Sequence, residues 1–433
     1  MTEEKLREVV VVEGLRSPFI RSGGSLSHLL PHDLGRLVVS ELVRTSGIDK
    51  NLIEQVVMGT VLADPKAPNL AREVLLGCSL PMKASAYTVS MACISSNMAS
   101  ATVFDQIKLG RCDVAIAGGA ECLSDFPIRL SKKIRQSLIR LQKAKGPKDY
   151  FKEIKNLSLK DLAPDVPSIT EFSTGLTMGQ SCERLGKRIG ITRAESDAIA
   201  EHSHTQALKA WKEGSYEGQV ANFEFAPDFK SVKKDDGPRE TNQETLAKLK
   251  PSFDKKYGQI TAGNASFLCD GASACLMMEK ETALKLGFKP KATIIDYAVI
   301  GTEPLDDLLL GPAWVISELL KRHQLSVEDI GVFEIHEAFA TQVAANLKVM
   351  ASQELSQKFL GVDAIGEIPL SKLNLLGGSL ALGHPFGATG TRLLQNASHR
   401  LQKEGARYAI LSGCAAGGHG FAMLLKNPQD KEL

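Results

Sequence analysis

Four side chains in this sequence could together perform covalent and acid–base chemistry: Cys93, His336, His384 and Cys414. Cys93 lies between a β-rich run, Tyr87–Met91, and a stretch of small residues from Asn97 onward. That pattern predicts a strand, a turn and a closely packed helix, with the thiol at the turn. A helix start offers unpaired N–H groups and a positive dipole, and both lower a thiol pKa. A lone cysteine in such a place is more often a small buried hydrophobe than a nucleophile. His336 and Glu337 end the β-rich part of EIHEAFA (Glu334–Ala340). His384 belongs to a glycine-rich loop, LNLLGGSLALGHPFGATGTRLL (Leu373–Leu394), that runs into a helix. Cys414 ends a strand-like run in LSGCAAGGHG (Leu411–Gly420), whose glycines let the backbone approach a ligand. Singly these are weak signals. Gathered in one place they would supply a nucleophile, a base and an acid.

The chain gives a reason for those loops to meet. Ser40–Val61 lies over Ser317–Ala338 without a gap, and Cys93–Ala120 lies over Gly387–Cys414. Helix falls on helix and strand on strand, with Gly59 opposite His336 and Ala120 opposite Cys414. Duplication of an α/β unit accounts for this economically; chance likeness of two common helix–strand patterns is the competing explanation. Apolar runs at Val9–Val12, Val56–Val61 and Asp113–Glu121 alternate with amphipathic stretches such as Asp33–Thr45. The expected fold is therefore α/β, with strands buried on both faces. In such folds, equivalent loops meet beyond the carboxyl ends of the strands.

Composition narrows the function. A chain of 433 residues, 43% hydrophobic and 24% charged, is large enough for two or three domains. A net charge of +2 gives no general case for nucleic-acid binding. The eight cysteines form neither a CxxC pair nor a zinc-spaced Cys/His cluster, so neither a metal site nor a disulfide framework is expected. A reducing compartment fits, and with Val9–Val12 too short for a signal or membrane span, the expected location is cytoplasmic. No GxGxxG follows the first strand and no Walker A motif occurs, which argues against a nucleotide site. The middle, about 125–256, has no counterpart in the second half. Its first part, Ile128–Lys160, holds eleven Lys/Arg against Asp149 and Glu153. Leu130, Ile134, Leu138 and Leu141 share one helical face, and Phe151, Ile154 and Leu157 form a second apolar set. A basic amphipathic helix of this kind suits a membrane surface, an acidic partner or an anionic ligand, or else merely covers the core.

Taken together the motifs resemble the thiolase family, essentially end to end. Cys93 matches that family's nucleophile, His384 the histidine of its GHP loop, and Cys414 the cysteine of its C-terminal CxxGG motif. TMGQSCE (Thr177–Glu183) and TAGNASFLCDGASA (Thr261–Ala274) match two further signatures. Two departures stand out: His336 where most thiolases have the asparagine of NEAF, and Ala416 where many have glycine. With the basic insertion, they bring the chain nearest to the thiolase subunit of β-oxidation trifunctional complexes and their bacterial relatives.

The resemblance implies a five-layered αβαβα fold of two similar halves, 1–285 and 286–433, with an inserted loop domain at about 125–256. It implies thiolysis of 3-ketoacyl-CoA through an acyl-Cys93 intermediate, with CoA as co-substrate and no permanently bound cofactor. His384 and His336, or a water that His336 holds, would face the thioester oxygen, and the backbone N–H groups of Cys93 and Ala416 the acyl oxygen. Cys414 would be the second acid–base thiol. Ser266, Met178, Ala338 and Phe339 would line the CoA and acyl path. The implied assembly is a homodimer, with a hydratase–dehydrogenase alpha subunit as a possible partner and peripheral membrane contact through 128–160. Three other readings stay open: an acetoacetyl-CoA thiolase run towards condensation, a ketosynthase-like enzyme using Cys93 with the two histidines, and a non-catalytic CoA-binding subunit.

Overall fold

A computed structural model describes residues 6–164, 170–225 and 230–430. In its first half the strands are β1 (Val9–Arg16), β2 (Ile20–Arg21), β3 (Gln55–Gly59), β4 (Ser85–Val89) and β5 (Val114–Glu121). After them come β6 (Phe223–Phe225), β7 (Lys230–Val232) and β8 (Cys269–Glu279). The second half contributes β9 (Ala292–Gly301), β10 (Ile330–Ile335), β11 (Tyr408–Ala415) and β12 (His419–Lys426). The main sheet runs β4-β3-β5-β8-β1-β9-β12-β11-β10, with β2 beside β8 and the β6–β7 hairpin apart.

Apart from β4, which has no counterpart strand beyond β10, that order is symmetric about the short β1/β9 pairing at Val9–Val11. Outward from β1 come β8 and β5, antiparallel, then β3, parallel to β5. Outward from β9 come β12 and β11, antiparallel, then β10, parallel to β11. The repeat seen in the sequence is thus repeated in strand order and direction, which chance likeness of single helix–strand pairs would not produce.

Helices complete the layers. Pro31–Ser46 starts with proline at its first turn, where the missing N–H costs nothing, and stops at Gly47, φ 73°. Its Leu34, Val38, Val39 and Leu42 are buried with the outer face of the first-half strands. Gly311–His323 does the same for the second half through Val315, Ile316, Leu319 and Leu320. Between the two halves of the sheet lie Ser95–Lys108 and Thr389–Glu404, sharing a third core with Val9, Val57, Leu411 and Phe421. Each such fully buried Leu, Val or Phe contributes about 1.5–3 kcal/mol. The layering is helix, sheet, helix pair, sheet, helix, as the five-layered expectation has it. The small residues after Cys93 follow from the middle position: a Cβ on Gly390 would overlap the backbone of Asn97, so the two central helices touch at their N-terminal ends.

Residues 125–169 form a separate compact unit. The two apolar sets of the insertion belong to two short helices, Lys132–Leu141 and Pro147–Lys155, the second starting at the Gly146–Pro147 pair. Leu130 lies outside the helix, which Ser131 caps, and Leu130, Leu138, Phe151 and Ile154 are exposed while Ile134 is buried. Arg140 pairs with Glu153 at 2.8 Å, joining the two helices, and Lys133 pairs with Asp161 at 2.8 Å. No helix among the described residues is long and apolar enough to cross a membrane.

Candidate active site

Cys93 lies in a tight turn between β4 and the first central helix. The Ser95 hydroxyl accepts from Met91 N–H (2.8 Å) and donates to the Ala92 carbonyl (2.7 Å). Ala92 is forced to φ 46°, a conformation that costs a non-glycine residue about 1–3 kcal/mol and persists where surrounding structure over-determines it. The helix itself begins at Ser95, two residues beyond the thiol. The expected lowering of the thiol pKa is therefore not what the resting site provides. Although Cys93 is partly accessible, the protein packed around its sulfur pushes the thiol up to about 11; N–H groups of Ala416 and of Cys93 itself offset part of this, and the Glu121 carboxylate adds to it. A thiol so placed needs a base.

Two candidates adjoin it. His336 follows β10 and extends its pairing, its N–H donating to Ser412 O at 2.8 Å. His384 follows Gly383, whose φ of 96° makes the turn, and its N–H donates to Phe267 O at 3.2 Å. The two rings face each other at 4.1 Å between centroids, tilted by 44°. The Cys93 sulfur and one nitrogen from each ring lie within 4.8 Å of one another. Three such atoms could also take up a thiophilic divalent ion, although the spacing that announces a structural zinc site is lacking.

The far side of each ring is occupied. His336 Nδ1 meets Ser379 Oγ at 3.0 Å, and His384 Nδ1 meets Thr389 Oγ1 at 2.6 Å. Both Nε2 atoms are buried without a partner. A buried polar atom left open on this scale costs about 1–3 kcal/mol unless a ligand satisfies it, so the two open nitrogens can each take up a ligand's hydrogen bond. Burial, helped by the Arg392 charge, lowers the His384 pKa to about 3; burial, His384 and Arg392 hold His336 well below its usual value. Both imidazoles are neutral at ordinary pH.

Cys414, at the end of β11, is fully enclosed, and burial first and the nearby Cys93 second raise its pKa strongly. It rests as a thiol. Ser266 N–H donates to Ala338 O at 3.0 Å, and Ala265 bridges to Phe339, placing three of the expected CoA-path residues side by side. Met178 opens the helix Met178–Ile189 and packs on the same apolar cluster as Phe339 and Cys414.

Several residues that hold these groups were not evident from sequence reasoning. Buried Glu121 accepts from Thr60 Oγ1 (3.1 Å), Val61 N (2.9 Å) and Leu62 N (3.0 Å), and from Gly387 N (2.9 Å) in the other half. Glu337 accepts from Ser203 Oγ (2.7 Å), Asn374 Nδ2 (2.6 Å) and Leu380 N (3.1 Å), fixing the strand end that carries His336 against the loop that carries His384. A carboxylate closing the strand AGGAE was the only signal of the first, and Glu337 beside His336 that of the second.

Residues 9–281 match the family Thiolase, N-terminal domain, and residues 288–427 match Thiolase, C-terminal domain. The chain belongs to the thiolase family. It is 45% identical over 427 residues to the trifunctional enzyme subunit beta, mitochondrial, of Bos taurus, covering 98% of this chain and 90% of that one. It is 43% identical over 430 residues to the 3-ketoacyl-CoA thiolase of Photobacterium profundum, covering 98% of each. Among solved structures, human mitochondrial 3-ketoacyl-CoA thiolase superposes with a TM-score of 0.82 at 28% identity, over 98% of this chain and 100% of that one. The architecture is the thiolase fold, and the chain is a thiolase-family acyltransferase.

Proposed function

We propose that this thiolase cleaves 3-ketoacyl-CoA with CoA, giving acetyl-CoA and an acyl-CoA two carbons shorter, in fatty-acid β-oxidation. The observation that carries the reading is the thiol of Cys93 beside two neutral imidazoles with open Nε2 atoms, backed by a second buried thiol. Relatives named 3-ketoacyl-CoA thiolase support the substrate class, and a human relative solved in complex with CoA supports CoA as the second substrate.

His384 takes the Cys93 proton as the sulfur adds to the C3 carbonyl. The new oxyanion is held by the N–H groups of Cys93 and Ala416; alanine in place of glycine keeps the donor. The C2–C3 bond breaks, and the departing electron pair becomes an enolate whose thioester oxygen lies against His384 and His336. Cys414 gives its proton to C2, releasing acetyl-CoA. The resulting Cys414 thiolate then takes the proton of the incoming CoA thiol, which attacks acyl-Cys93; the Cys93 sulfur leaves and recovers its proton from His384, so that both cysteines are restored. Acylation removes the negative charge that Cys93 can carry, and with it one of the causes that raise Cys414. The second half-reaction therefore starts with that repulsion gone. Met178, Ser266, Ala338 and Phe339 line the path of acyl chain and pantetheine.

A ketosynthase-like reading leaves Cys414 without work, since decarboxylative condensation supplies its own carbanion. Kinship with a trifunctional enzyme subunit supports assembly with a second kind of subunit, a hydratase–dehydrogenase chain, around a thiolase homodimer. Exposed Leu138, Phe151 and Ile154 among basic residues support a peripheral contact with an anionic membrane through 128–160. Eight free cysteines suit a reducing compartment such as the cytoplasm, while the mammalian relatives are named as mitochondrial. The test is a burst assay without free CoA. One equivalent of acetyl-CoA per site, with the acyl mass on Cys93, is expected; no acetyl-CoA, or acyl mass elsewhere, overturns the reading.

A further inference from the structure

His336 and His384 are chemically alike, equally buried and adjacent, yet the reaction asks one ring nitrogen to accept a proton and another to donate a hydrogen bond. A neutral imidazole has a single N–H, so its role is decided by which nitrogen holds the proton. The hydroxyl behind each ring decides that.

Behind His336 stands Ser379. Its Oγ receives a hydrogen bond from Arg392 Nη2 at 2.8 Å, and a guanidinium has donors only. Among the described residues, the one other hydrogen-bond partner of that Oγ is His336 Nδ1 at 3.0 Å. If Nδ1 carried the proton, Oγ would accept twice and its own hydrogen would be buried with nowhere to go; Ser379 is fully buried. Satisfying all three groups requires Arg392 to donate to Ser379 and Ser379 to donate to Nδ1. The ring proton is then on Nε2, the atom left open towards the site.

Behind His384 the accounting differs. Thr389 Oγ1 has an acceptor of its own, the Pro385 carbonyl at 3.3 Å, and receives no guanidinium donor. It can therefore take a proton from His384 Nδ1, leaving Nε2 as a lone pair.

We propose that Arg392 and Ser379 are positioning residues that lock His336 as its Nε2–H tautomer, making it the permanent donor to the thioester oxygen while His384 stays free to act as base. This rests on the reading of His336 as that donor. Buried Glu334 lies 3.9 Å from Arg392 Nη1 and also bonds Arg400 at 2.9 Å, so the guanidinium is held with a counter-charge behind the site and is anchored away from the substrate. An asparagine at 336 would need no such device, because an amide nitrogen is a donor in every state.

The test combines a spectrum with a double-mutant cycle. In enzyme labelled with 15N-histidine, His336 should show a pyridine-type Nδ1 and a pyrrole-type Nε2, assigned by loss of the signals in His336→Asn. Ser379→Ala should mix the two forms and lower kcat about tenfold, the size of one neutral hydrogen bond, with KM little changed. In a His336→Asn background the same Ser379→Ala change should cost nothing further. Thermal unfolding of both variants separates loss of fold from loss of function. A protonated Nδ1 in the wild-type spectrum, or an equal loss from Ser379→Ala in both backgrounds, overturns the lock. His336→Ala with unchanged turnover would instead overturn the donor reading beneath it.

Discussion

Cys414 lies close enough to Cys93 that a charge on Cys93 adds to the burial that raises the Cys414 thiol. They nevertheless differ in consequence when removed. Cys93→Ala should abolish acyl-enzyme formation. Cys414→Ala should retain the nucleophile yet lose both proton transfers at C2 and at CoA, a fall of about 10²–10⁴-fold in turnover. Mass spectrometry of trapped enzyme, beside steady-state rates, checks both; near-normal turnover in Cys414→Ala would end the two-thiol mechanism.

Iodoacetamide should report on the same environment. Cys93 is partly accessible while Cys112, Cys122, Cys182, Cys269, Cys275 and Cys414 are buried, leaving Cys78 as its chief competitor. A thiol raised to about 11 loses its proton as pH rises, so alkylation of Cys93 should accelerate throughout the range from about pH 7 to 10. His384, neutral down to about 3, should add no break on the acid side. Peptide mapping of labelled sites against pH tests this, and a plateau below about pH 8 would contradict it.

Restoring the commoner family residue with His336→Asn should keep much of the activity, because a donor remains. His336→Ala should cost about 10²–10³-fold, the usual loss for an oxyanion donor. Equal losses in the two variants would assign the ring a task beyond one hydrogen bond.

Glu121→Ala should weaken both the fold and the site. Four donors from two halves of the chain converge on that carboxylate, and leaving buried donors unpaired costs about 1–3 kcal/mol each at most. A fall in Tm with a lower kcat is expected, and an unchanged Tm would show that the link between Gly387 and the Val61 turn is dispensable.

The basic segment can be tested by replacing Leu138, Phe151 and Ile154, all exposed, with serine. Thiolysis of short substrates should persist while co-sedimentation with anionic vesicles falls. Unchanged vesicle binding would remove the membrane role.

Much of this site is legible in the sequence because its reagents are rare residue types at ends of strongly patterned strands. Cys93, His336, His384 and Cys414 announce themselves by type, and the gapless repeat puts their loops in register. Buried strands such as β1 and β5 read as apolar runs for the same reason. What escapes are the groups whose roles exist only in three dimensions. Nothing about Ser379 or Arg392 in sequence says that they touch each other or that Ser379 touches His336, thirteen residues apart being unremarkable on its own. The raised thiol pKa escapes because helix position is visible in sequence and desolvation is not. In the insertion, Leu130 shares the helical spacing of Ile134 and Leu138, yet the helix starts after it because Ser131 caps the N-terminus.

The symmetry of the sheet has one more implication. Under the repeat, Cys93 corresponds to Gly387, His336 to Gly59 and Cys414 to Ala120. Two of these counterparts meet directly: a Cβ on Gly387 would come within 2.7 Å of Gly59 O, and one on Gly119, next to Ala120, would overlap Gly387 O. At the mirror position each counterpart of a reagent carries only hydrogen or methyl, and main chain from the two halves fills the space. The pseudo-dyad therefore relates a working cavity to a weld. Both places are built from both halves: one holds the chemistry open, and the other, lined by glycine and alanine, clamps the halves together. Side chains placed at Gly387 or Gly119 would push apart the joint between the halves that supply the site.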